Sequence, residues 1–122
     1  MTTLRDPRLR IRDMRRILSH KRSRVVWEPG SSAGSEWVYA TLEDEPHRER
    51  LLQWLASKDV PDSAEAFVFV VGHYECSSTT WGEVRSHPER FFAGRPIQII
   101  SKDTDWRLDY RESCVARFGH WA

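Results

Sequence analysis

Residues 73–76, His-Tyr-Glu-Cys, hold the most chemically suggestive spacing in the chain. A histidine two positions before a glutamate is half of the zinc-deaminase signature, in which the histidine binds the metal and the glutamate moves protons. That chemistry also needs two thiolates from a Pro-Cys-x-x-Cys element. Cys76 and Cys114 are the only cysteines, and Cys114 lies in "ESCVARF" with no proline before it and no cysteine after it. The deaminase ligand set cannot be assembled from these motifs.

Cys76 with His73 and His87, and Cys114 with His120, invite comparison with cysteine nucleophiles. Such a nucleophile needs thiolate character, a base within hydrogen-bond reach and a site for the oxyanion; proximity in sequence supplies none of the three. Free cysteine is among the most buried residue types, so both thiols are expected to fill core space. The five histidines, at 20, 47, 73, 87 and 120, share no metal-ligand spacing, and the scattered glycines form no phosphate-binding loop. No metal, no cofactor and no catalytic residue is expected. His73, Glu75 and Cys76 are the residues whose placement most needs a structure.

The elements that must position these groups follow from composition and pattern. With 122 residues, 39% of them hydrophobic and 30% charged, the chain is expected to be globular, and six Trp, five Phe and three Tyr supply the volume of a core. The longest apolar run, "AFVFVV", has the length of a strand rather than of a membrane span. The N-terminus shows no secretory pattern and two cysteines make no disulfide framework, so a reduced, cytoplasmic protein without membrane contact is expected.

The net charge of +1 conceals a division: residues 1–24 carry nine Lys or Arg against two Asp, whereas 25–122 carry ten basic and sixteen acidic side chains. Residues 1–24 read as a basic helical segment and 25–122 as a single domain. Asp6 and Pro7 suit a helix start, and Ile11, Met14, Ile17 and Leu18 form one apolar stripe on an arginine-covered surface. Arg8, Arg12, Arg15 and Arg16 are therefore candidates for salt-sensitive contact with nucleic-acid phosphates. The stripe favours docking on the acidic body instead, and no aromatic residue interleaves the arginines to stack bases.

Along the remainder, "RVVW" reads as a short strand, "EPGSSAGS" as a loop, and "EWVYATL" as an alternating strand. "EDEPHRERLLQWLASKD" is a helix with acidic residues at its start, Leu51, Leu52, Trp54 and Leu55 on its buried face, and Pro61 as its stop. "AFVFVVG" suggests a central strand covered on both sides and ending near Tyr74, with "ECSST" as a connection. Thr80 and Glu83 suit a capping box, Pro88 ends that helix after His87, and Ser86 with Glu89 offers a second capping pair. "IQIIS", a turn at "KDTD" and "WRLDYR" form a hairpin with Trp106, Leu108 and Tyr110 inward and Arg107, Asp109 and Arg111 outward. "CVARFGHW" closes the chain as a short strand or irregular tail. The expected class is α+β: one domain, a mostly antiparallel sheet, helices packed on one side.

Two acidic groups are candidates for contact with a protein partner: Glu43, Asp44 and Glu45 at the helix start, and Asp103, Asp105 and Asp109 around the last hairpin. Surface carboxylates can imitate phosphate and occupy the basic active site of a nuclease, with charge complementarity speeding association. Trp106 or Tyr110 at that edge is the candidate anchor.

"TTWGEVRSHPERFF", "IQIIS", "DTDWRLDYR" and the final "RFGHWA" together resemble the small bacterial immunity proteins that neutralise contact-dependent or polymorphic toxins. The resemblance covers residues 36–122, leaves out the basic segment, and transfers no individual residue. It implies a compact, aromatic-rich α/β binder without catalytic motifs, whose partner is a cognate toxin domain.

Overall fold

A computed structural model describes residues 4–5, 25–30, 34–71, 75–103 and 105–121, with backbone only for 4–5 and 75. Within the basic helical segment expected over residues 1–24, Leu4–Arg5 is a strand; the rest of that segment, and His73, lie outside the described residues.

Two aromatic-rich strands at the end of the chain and one apolar strand in its middle organise the fold. The strands are β1 (Leu4–Arg5), β2 (Val25–Trp27), β3 (Val38–Tyr39), β4 (Glu65–Val70), β5 (Glu75–Thr80), β6 (Ile97–Ser101), β7 (Trp106–Arg111) and β8 (Val115–Trp121). The helices among the described residues are α1 (Glu45–Ala56) and α2 (Trp81–Ser86), and Pro88–Arg90 forms a 3₁₀ turn. One sheet runs β1-β5-β4-β6-β7-β8-β2, and β3 pairs with β8 beside β2. All described pairings are antiparallel. Among the described residues an antiparallel sheet carrying two helices is thus observed, with the sheet dominating. Leu4–Arg5 pairs with β5, so the chain enters the sheet before residue 25.

Strand register sorts the side chains onto two faces, because successive residues point opposite ways. Val68 lies opposite Ile99, and Ile99 opposite Leu108, which in turn faces Phe118. This face meets Leu51 and Leu55 of α1 and Trp81 and Val84 of α2 in one cluster. Full burial of each leucine contributes about 2 kcal/mol. Trp81 meets Trp106 edge-on at 5.2 Å, and Trp106 stacks on Phe118 at 5.7 Å.

The second face departs from the expected half-exposed surface. Phe69, Cys76 and Ile100 form their own buried cluster, and Arg107 and Asp109 are buried as well, so β7 is covered on both sides. Trp27 and Trp37 contribute cover near its far edge: the Arg117 guanidinium lies 3.7 Å from the Trp27 ring and 4.5 Å from that of Trp37. Buried charge is tolerated there because each group finds an opposite one.

Two local expectations are corrected, and one left open between strand and tail is decided. "ECSST" belongs to β5, which pairs with β4 over six residues; the central strand ends at Val70, ahead of Tyr74. The final segment is a regular seven-residue strand, held by β7 on one side and by β2 and β3 on the other. No side chain caps the 3₁₀ turn, at whose start His87 stands, so the Ser86 and Glu89 pair does not form. The first cap is present: the Glu83 backbone N–H donates to the Thr80 hydroxyl at 3.3 Å. Helix α2 does stop before Pro88, with His87 at φ −130°.

Candidate functional site

Tertiary structure gathers carboxylates at one end of the sheet. Asp59 follows α1, Glu65 begins β4, and Asp103 and Asp105 lie in the turn between β6 and β7; all four are exposed and line one cleft of about 370 Å³. The turn is built by Ser101, whose hydroxyl accepts from the backbone N–H groups of Asp105 at 2.9 Å and Trp106 at 3.3 Å and also contacts the Asp105 carboxylate. Lys102 donates its backbone N–H to the Glu65 carbonyl at 3.0 Å, which ties the turn to the start of β4. The Lys102 ammonium lies 3.6 Å from the Glu65 carboxylate and 5.4 Å from the Phe67 ring.

This end has the chemistry of an electrostatic surface. Among the described residues, no group of three or more His, Cys, Asp or Glu is arranged to hold a metal ion. Four exposed carboxylates against one lysine attract cationic groups over a Debye length of about 8–10 Å.

The candidate residues named above separate. Asp103 and Asp105 sit at the acidic end. Glu43, Asp44 and Glu45 are exposed at the other end of the sheet, where the Ala40 N–H donates to the Cys114 carbonyl at 2.8 Å in the turn after β7. The length of β7, about 17 Å of rise, divides the two groups. Trp106 is only 4% exposed and serves the core, so it presents no anchor to a partner. Asp109 is 6% exposed and occupied by Arg107 and Arg117, so it does not contribute to an acidic surface. Asp59 and Glu65 escape sequence reasoning because they lie 38 or more positions from Asp103 and meet it only through the sheet.

The other chemically suggestive residues resolve differently. Cys76 is buried against Phe69 and Ile100, an apolar setting that fits packing. Glu75 lies opposite Val70 in β5. Cys114 takes φ +62° in the turn between β7 and β8, and its N–H donates to the Arg111 carbonyl at 2.9 Å. Arg8, Arg12, Arg15 and Arg16 lie outside the described residues.

A second cleft of about 380 Å³ runs along α1 between Pro29, Tyr39 and Trp54. Lys58 donates to the Glu28 carboxylate at 2.6 Å, and the other Glu28 oxygen lies 3.2 Å from His120, which lines the acidic cleft. The Lys58 ammonium also lies 4.5 Å from the centre of the Trp54 ring.

Comparison with protein-family models, with curated proteins and with solved structures gave no match.

Proposed function

We propose that this protein is a non-enzymatic binding module, an immunity protein that neutralises a cognate bacterial toxin by binding and occluding it. The observation that carries the proposal is the convergence of Asp59, Glu65, Asp103 and Asp105, from three separate segments, around one exposed cleft. The sequence resemblance over residues 36–122 supports the same role.

The chemistry required of the partner follows from the surface. A nuclease binds phosphate with cationic side chains, and carboxylates presented on a rigid sheet end can take the places of those phosphates. Long-range attraction raises the association rate, and tight packing after docking slows release.

The test asks whether the neighbouring gene encodes a toxin-like domain and, where it does, measures its binding to this chain by stopped-flow at two salt concentrations. Asp59→Lys with Asp103→Lys is expected to slow association about tenfold at low salt and much less at high salt. Both positions are exposed, so the fold should survive, and circular dichroism would confirm it. An association rate unchanged by the double variant would remove the acidic end as the docking surface.

A further inference from the structure

We infer that the cleft along α1 is a binding site for a small aromatic monocarboxylate. The inference goes beyond the protein-binding role and uses different residues.

The walls of the cleft are apolar and set in place by the fold. Leu51 and Val38 are buried at its floor, and Trp54 and Tyr39 rise on its two sides. Tyr39 is 61% exposed, so its ring is open to a ligand entering from solvent. Its ring packs on His47 at 4.9 Å, and Asp44 holds His47 through Nδ1 at 3.1 Å. Pro29 and Gly30 close the remaining wall. That wall is possible because position 30 is glycine: a Cβ there would lie 2.5 Å from the Trp37 carbonyl oxygen. The Gly30 N–H donates to the Ser35 carbonyl at 2.7 Å and fixes the wall in that position.

Charge selects the ligand. Arg50 lines the cleft, and among the described residues no carboxylate pairs with it. No acidic residue lines the cleft, although the body of the chain is acidic overall. His47 is the other ionisable group on the lining apart from Tyr39. A flat apolar ligand would replace water between Trp54 and Tyr39, and a carboxylate on it would accept a forked pair of hydrogen bonds from Arg50. The volume falls in the range of small-molecule sites, roughly 300–1,000 Å³, in which apolar walls and a few polar groups set orientation. An aliphatic ammonium ligand is disfavoured by Arg50, and a polyanion finds only one guanidinium.

The experiment titrates phenylacetate into the full chain and follows the Trp54 indole N–H by nitrogen-edited NMR, assigned through Trp54→Phe. A saturable shift is expected, with phenylacetamide, the neutral isostere, binding about tenfold more weakly. Arg50→Gln should lower phenylacetate affinity to that of the amide and leave the amide unchanged. Asp59→Lys with Asp103→Lys should leave phenylacetate affinity unaltered, which separates this site from the acidic end. Equal binding of acid and amide, undiminished binding by Arg50→Gln, or no saturable shift up to the solubility of the probe would overturn the inference.

Discussion

Arg107 and Asp109, two positions apart on β7, pair side by side on one sheet face, with the arginine Nε donating to the carboxylate at 2.7 Å. Arg117, directly across on β8, donates to the other carboxylate oxygen at 3.1 Å, and its remaining nitrogen reaches Glu36 at 3.3 Å. One carboxylate thus joins two strands and two guanidiniums, and Trp27 and Trp37 flank Arg117. Buried charge of this kind specifies register, since a slip of one residue would turn each member to the opposite face.

Removing the carboxylate should therefore be costly. Asp109→Ala leaves the buried Arg107 guanidinium beside that of Arg117, with Glu36 as the remaining counter-charge, and a loss of about 3 kcal/mol is expected in urea unfolding. Arg107→Met combined with Asp109→Leu should recover part of that loss, because fewer unpaired charges remain buried. A loss for Asp109→Ala below the error of the measurement would show that water reaches the cluster freely.

Gly119 permits the close approach of β2 to β8. A Cβ at this position would lie 2.7 Å from the Val26 carbonyl oxygen and 2.9 Å from the Trp27 ring. Gly119→Ala is expected to cost about 2 kcal/mol. The loss should be local: amide exchange of β2 should accelerate well before that of α1. Uniform acceleration across the chain would argue that β2 and the core unfold together.

Tyr110 gives the protein an alkaline limit. Burial pushes its phenol above the ordinary value of 10.0, the Gly94 N–H opposes this by stabilising the phenolate, and Cys114 and Glu43 add to the rise. The folded state therefore holds the proton more tightly than the unfolded chain does. The resulting stability is complete below the unfolded value near 10 and is lost as pH rises toward the folded value. Tyr110→Phe should remove this alkaline decline. Near neutral pH it should cost about 1 kcal/mol, because the Gly94 N–H loses the acceptor it meets at 2.9 Å. Parallel stability–pH curves for the two proteins above pH 10 would contradict this account.

Elements with a strong local signal were legible in the chain itself. The four-residue spacing of Leu51 and Leu55 and the acidic start of α1 mark a helix without any knowledge of its neighbours, although α1 ends at Ala56, ahead of the stop expected at Pro61. The alternation of Trp106, Leu108 and Tyr110 names the inward face of β7, and Thr80 three positions before Glu83 marks a cap. These features depend on backbone geometry over a few residues. β5 was not legible for the same reason: Cys76, Ser77, Ser78, Thr79 and Thr80 carry no apolar alternation, and pairing with β4 and β1 makes them a strand.

Tertiary structure decided everything that depends on who lies opposite whom. Sequence pattern could tell that Asp109 faces away from Leu108, but only the arrival of Arg117 across the sheet and of Trp27 and Trp37 nearby turns that face into a buried one. The acidic residues were visible as a count; their division between two ends of β7, and the union of Asp59 and Glu65 with Asp103 and Asp105, required the order of strands. Local pattern is set by interactions within a few residues, whereas charge at a surface sums over groups brought together by the whole chain.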